Sequence, residues 1–217
     1  MRGDAAIYVH GLFLSGGESL FLRRRLRNDF GFDVHPFSYP SASMRMIDIA
    51  ERLNAFMREL CASQAKGCAV HLIGHSLGGL VIYRFLERFP EQPAGRVVFL
   101  GTPCVDSRAA SQAMRRRWAA TLIGPTVAEE LLEHRERRWD NGRDLGIIAG
   151  TRPMGLGQFF ASFDEDCDGT IAVSETKLPG AIDHITLPVS HMGMLLSARV
   201  ARQTGHFLEH GRFELGG

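Results

Sequence analysis

Lysine is nearly absent from the 217-residue chain: only Lys66 and Lys177 stand among its 25 basic residues, so arginine carries the positive charge. No sign of charge is in excess, with 24 acidic residues and a formal net charge of +1. That balance excludes the strongly basic profile of a nucleic-acid binder. It also excludes the low hydrophobicity and high net charge of a disordered chain, since 45% of residues are hydrophobic. Cysteine is sparse. Cys61, Cys68, Cys104 and Cys167 are scattered and form no C-x-x-C pair, which predicts free thiols in a reducing compartment. No apolar run reaches the ~18 residues of a membrane-spanning helix. No apolar leader precedes the first strand-like run at 5–9. The expectation is a cytoplasmic protein without an integral membrane segment and without a nucleic-acid partner. There is no internal repeat and no linker-like stretch.

What is present fits one domain over 1–217. A chain this long buries roughly 70% of its unfolded surface, so it needs no disulfide, metal or partner to be stable. Short apolar runs at 5–9, 34–39, 69–73, 97–100, 145–149 and 184–189 alternate with amphipathic stretches. That is the pattern of an α/β fold with about six mostly parallel strands flanked by helices. Helices are predicted over 19–30, 43–65, 77–89 and 191–208. In the second, Ile47, Ala50, Leu53, Met57 and Leu60 form one apolar stripe, with Ser41 or Ser43 as its cap. Pro90 ends the third. The segment 104–144 interleaves arginine with glutamate and shows no strand pattern. It reads as a short helical insertion, either a solvated face of Glu–Arg pairs or a candidate cap over a pocket.

The strongest motif is Gly74-His75-Ser76-Leu77-Gly78-Gly79, which follows a strand-like run and opens a helix. A serine on so sharp a strand-to-helix turn needs tiny neighbours two residues away, and Gly74 and Gly78 supply them. The helix start aims backbone N–H groups at the site, the Leu77 N–H foremost. A second motif, His10-Gly11-Leu12-Phe13, closes the first strand. Its loop would supply another backbone donor, Leu12 N–H, with Phe13 N–H as the alternative, while the His10 side chain is expected to be structural.

Through these residues, with Val97-Val98-Phe99-Leu100-Gly101-Thr102-Pro103 as the following strand, the chain resembles the α/β-hydrolase superfamily, specifically small bacterial lipase- or esterase-like serine hydrolases. The resemblance implies a Ser–Asp–His chain order and no cofactor or metal. It implies Ser76 as nucleophile and His191, after the last strand-like run, as base. Asp168-Gly169-Thr170-Ile171-Ala172-Val173 looks like the turn that carries the acid, making Asp168 the choice ahead of Asp166, with Asp106 a distant third. Asp164, Glu165, Glu175 and Asp183 lie in the same window. Leu12 and Leu77 N–H groups would form the oxyanion hole. The implied activity is cleavage of a small-molecule carboxylic ester with a short or soluble acyl group. Acyl transfer and thioester hydrolysis would use the same triad, and a silent binding protein would keep only the fold. Leu12, Phe13, Leu14, Phe159, Phe160 and Phe163 would either wall an acyl pocket or pack in the core. The sequence leaves oligomeric state open.

One motif competes for Asp168. Residues 164–175 match a twelve-residue calcium loop, with acids at positions one, three and five, glycine at six and glutamate at twelve. Gly155, Gly157, Pro179 and Gly180 oppose the two flanking helices that such a loop needs. The expectation is that Asp168 serves His191 and not a cation.

Overall fold

The computed structural model describes residues 4–64, 69–105, 137–154 and 165–214. Six strands form one parallel sheet: β1 (Ala5–Val9), β2 (Asp33–Phe37), β3 (Val70–His75), β4 (Val97–Leu100), β5 (Leu145–Gly150) and β6 (Asp183–Leu187), in the order β2-β1-β3-β4-β5-β6. Among the described residues four helices cover it: α1 (Leu20–Phe30), α2 (Met46–Ser63), α3 (Leu77–Arg88) and α4 (Ala198–His210).

Alternation along the strands divides the core into two layers. Ala5, Ile7, Val9, Leu72, Val97, Phe99 and Ile147 pack on α2 and α3, whereas Ala6, Tyr8, Ile73, Val98, Leu100 and Ile148 pack with Leu22 and Leu26 of α1 and Val200 and Phe207 of α4. Burial on both faces is why these strands read as unbroken apolar runs. Pro36 sits in the edge strand β2, where a missing ladder donor is tolerated.

Two helix ends differ from expectation. α2 starts at Met46 with no side-chain cap. Ser41 is used elsewhere: its hydroxyl accepts the Phe13 N–H at 2.9 Å. The buried stripe of α2 is also broader, adding Met46 and Ile49, while Ile47 is only half-buried. The stretch after His191 is two pieces, a 3-10 turn at Gly193–Leu196 and then α4, whose N-cap Ser197 accepts the Val200 N–H. A good cap inside an apolar pattern resets the helix start. Most of the 104–144 insertion, with Asp106, and the aromatic residues Phe159, Phe160 and Phe163 lie outside the described residues.

The strand order reverses between β1 and β3: β2 lies on one side of β1, and β3 to β6 run off on the other. Such a switch point opens a crevice at the carboxyl ends of the strands. The loops after β1 and β3 are those carrying His10-Gly11 and Ser76.

Buried histidines make the scaffold acid-sensitive. On β3, His71 is 3% exposed and its Nδ1 accepts the Arg96 N–H at 3.0 Å. Burial, with Arg96 and Arg143 adding to it against Asp4, pushes its pKa down to about 4. Between that value and the ordinary 6.5 the unfolded chain binds more protons than the native one. Stability is therefore complete above about pH 6.5 and is lost as pH falls toward 4, at no more than about 1.4 kcal/mol per pH unit. Urea unfolding midpoints should fall across that window, and less steeply in His71→Asn, which keeps an acceptor near Nδ1 but cannot be protonated. Equal slopes would show that His71 does not contribute.

Candidate active site

Ser76 sits between the last residue of β3 and the first of α3, at φ 54 and ψ −124. A side-chain-bearing residue pays for this left-handed backbone with about 1–3 kcal/mol of strain. The turn is held by Ser76 N–H donating to the Leu100 carbonyl at 2.9 Å and Gly79 N–H donating to the Ser76 carbonyl at 3.1 Å. It is tight enough to dictate its neighbours. A Cβ on Gly74 would run into Gly79, one on Gly78 into the Val9 and His10 carbonyls, and one on Gly79 into Thr102. Ser76 is half-buried.

The loop after β1 lies directly against this turn, since a Cβ on Gly11 would stand 3.0 Å from the Ser76 Cβ. His10 fixes that loop. Its Nδ1 lies 2.7 Å from the Gly11 carbonyl, and its Nε2 accepts the Tyr39 N–H at 3.2 Å. These partners assign the proton to Nδ1. The ring stacks on Tyr39 at 4.2 Å, and Tyr39 Oη–H donates to the His10 carbonyl at 2.7 Å. Burial lowers the His10 pKa, so the ring stays neutral and the tautomer fixed. Because a trans peptide points its C=O and N–H in opposite directions, holding the Gly11 carbonyl also aims the Leu12 N–H. The Phe13 N–H is taken by Ser41 and is not open to a ligand. Leu77 N–H, at the first turn of α3, has no intrahelical acceptor to reach.

Asp168 and His191 meet from different loops. His191 Nδ1 lies 2.6 Å from Asp168 Oδ2, and His191 N–H donates to the Asp168 carbonyl at 2.9 Å. The other carboxylate oxygen, Oδ1, accepts the Thr170 and Ile171 N–H groups at 2.9 and 2.7 Å. Asp168 is 1% exposed and His191 8%. Two glycines make room for the pair: a Cβ on Gly101, at the end of β4, would stand 3.0 Å from Asp168 Oδ2 and 3.1 Å from His191 Nδ1, and one on Gly150, at the end of β5, 2.7 Å from the Asp168 Cβ. No hydrogen bond joins Ser76 Oγ to His191 among the described residues; such contacts commonly close only when substrate binds.

The other acidic candidates are placed elsewhere. Glu165 and Asp166 are exposed. Glu175 is buried and accepts the Ala172 N–H at 2.9 Å, and Asp183 accepts the Phe213 N–H at 2.8 Å. Asp164 lies outside the described residues. Residues 165–175 form a bridge between Cys167 and Ala172 followed by a 3-10 turn, and no three His, Cys, Asp or Glu side chains among the described residues gather as metal ligands. The sequence reading missed Gly101, Gly150 and Ser41 as parts of the site. The glycines carried a weak signal, as small residues ending strand-like runs. Ser41 carried none, since its partner is 28 residues away.

A sequence model described as alpha/beta hydrolase family matches residues 6–207. A search of curated proteins finds no match. Among solved structures, the mature lipase BlEst2 of Bacillus licheniformis superposes with a TM-score of 0.71 at 20% identity, over 97% of this chain and 92% of that one. Phospholipase PlaB of Legionella pneumophila gives 0.62 at 18% identity, over 80% of this chain and 45% of that one. The thioesterase RedJ of Streptomyces coelicolor gives 0.61 at 12% identity, over 93% and 84%. At these identities the likeness is one of fold.

The strain at residue 76 has a measurable consequence. Ser76→Gly removes about 1–3 kcal/mol of backbone strain and adds about 0.5–1 kcal/mol of unfolded-state entropy. The net gain of about 1 kcal/mol should raise Tm by about 2–4 °C over Ser76→Ala, which keeps the strain. Equal melting temperatures would mean that the turn is unstrained.

Proposed function

Because the chain belongs to the alpha/beta hydrolase family, matched over residues 6–207, we propose that it is a serine hydrolase of carboxylic esters with short or soluble acyl groups. The observation that carries this reading is the buried 2.6 Å contact between His191 Nδ1 and Asp168 Oδ2, on the same rim of the sheet as a serine in a nucleophile-elbow turn.

The chemistry follows from the atoms. Asp168 Oδ2 fixes the proton on His191 Nδ1, which leaves Nε2 as a free base. His191 Nε2 takes the Ser76 proton as Oγ attacks the acyl carbon. The carbonyl oxygen becomes an oxyanion, held by the Leu12 and Leu77 N–H groups; one such donor contributes on the order of 10²–10³ in rate. The imidazolium then protonates the leaving alcohol, and water, deprotonated by the same His191, cleaves the acyl-enzyme. Asp168 stabilises the imidazolium in both steps without itself taking the proton. The mechanism uses no metal or cofactor.

Three large apolar side chains are exposed near the site residues in sequence or across a turn. Phe13, beside the Leu12 donor, is 63% exposed; Met192, beside His191, is 45% exposed; and Met154, whose backbone underlies Gly169 of the acid turn, is 58% exposed. These exposed apolar side chains support an acyl substrate over a charged one.

Ser76→Ala should lower kcat on a nitrophenyl ester by ~10³-fold or more with the far-UV circular dichroism unchanged, and Asp168→Asn by a similar order. Full turnover in Ser76→Ala would refute the assignment. Across nitrophenyl esters of rising length, kcat/KM should peak at short acyl chains. A maximum on long, emulsified esters would instead make the protein a lipase.

A further inference from the structure

His75 precedes the elbow serine, and the reaction above gives it no role. It is fully buried in the interior, at 0% exposure. Its Nε2 lies 3.1 Å from the His191 carbonyl oxygen, 116 residues away in sequence. A carbonyl only accepts, so that ring nitrogen carries the proton and Nδ1 carries the lone pair. Nδ1 has no hydrogen-bond partner among the described residues and faces Gly11, where a Cβ would stand 3.3 Å away. The His75 and His191 rings are 4.8 Å apart at 43°. One imidazole therefore touches the loop of the base and the loop of the Leu12 donor, and it is joined by the peptide bond to the nucleophile.

His191 has four polar groups. Its N–H donates to the Asp168 carbonyl, its Nδ1 bonds Asp168 Oδ2, and its carbonyl accepts from His75. Only Nε2 has no partner among the described residues. Asp168 holds one end of the residue and His75 the other. Without the His75 bond, the His191 carbonyl would be a buried acceptor with no described partner, and the loop from Val189 to the 3-10 turn at Gly193–Leu196 could swing about the Asp168 contact.

We infer that His75 is a positioning residue that ties the loop of the base His191 to the nucleophile elbow, so that Ser76 and His191 Nε2 keep one relative placement. The inference rests on the proposed reaction, in which His191 is the base. The ring must stay neutral, with its proton on Nε2, to hold this tie. Burial supports that state, pushing the His75 pKa down to about 3, with His191 and His10 adding to the effect. A misplacement of the base by about 1 Å costs on the order of 10²-fold in rate, while ground-state binding is scarcely touched.

The test compares His75→Phe, which keeps a ring and loses the donor, with His75→Gln, whose amide nitrogen reaches the position of Nε2. On a short nitrophenyl ester, His75→Phe should lower kcat about 10–100-fold with KM within about twofold, and His75→Gln should recover most of the loss. Equal kcat in His75→Phe and the parent, or no difference between the two variants, would overturn the inference. A second measurement needs neither variant to fold. Long-range 15N NMR of the unsubstituted protein should show His75 as the neutral Nε2–H tautomer throughout pH 5–8, and a His75 that titrates near 6.5 or carries its proton on Nδ1 would overturn it equally. If the parent protein hydrolyses no ester while NMR shows the tie, the proposed reaction fails and the structural link stands.

Discussion

Everything at the reactive rim of this protein depends on the left-handed backbone of Ser76. One residue separates the end of β3 from the start of α3. The helix therefore leaves the sheet at once and passes within contact of β1 and β4. Gly78 and Gly79 are the price of that exit, because the Val9 and His10 carbonyls and Thr102 occupy the space a side chain would need. The helix start and the β1 loop are forced together, and backbone from two distant parts of the chain lies against one serine. The strain of about 1–3 kcal/mol is sustained because all of β3 and eight of the twelve residues of α3 are buried.

Three histidines around that serine do different physical work, and burial sorts them. His10 and His75 are wholly buried, neutral, and each held in one tautomer by its partners. They act as fixed struts, one aiming the Gly11–Leu12 peptide and the other holding the His191 carbonyl. His191 is slightly more open and keeps one nitrogen without a described partner. Fixed donors need no reorganisation when charge develops, and such preorganisation is a large part of what enzyme sites contribute. Thus the side chains that do no chemistry here set the geometry for those proposed to do it.

Much of this was legible in the sequence, and the reasons are local. The central strands β1, β3, β4 and β5 announced themselves as short apolar runs because every residue in them is buried, whereas the edge strands β2 and β6 are only partly buried; β1 and β4 match residue for residue. The elbow was legible because its steric demands fall on residues adjacent in sequence. The Asp168–His191 contact could be suggested only through chain order and a resemblance, since it joins residues 23 apart across two loops. The calcium-loop pattern over 164–175 competes for one of these two residues. The same Asp168 that fits position five has one oxygen on His191 and the other on two loop amides. Ser41 read as a cap because hydroxyls before apolar stripes usually are, yet the tertiary contact with Phe13 N–H claims it. The interlocking roles of Gly101, Gly150 and His75 depend on which strand ends lie side by side, and no window of sequence contains that information.

The proposed chemistry requires Ser76 to be an activated nucleophile and His191 its base. Covalent labelling with a fluorophosphonate, followed by peptide mapping, tests it most directly, because the reagent reacts with an activated serine whatever the natural substrate is. A single adduct on Ser76 should form rapidly in the parent protein and be nearly abolished in His191→Ala. Labelling at another residue, or an adduct on Ser76 that forms equally fast without the His191 imidazole, would contradict it.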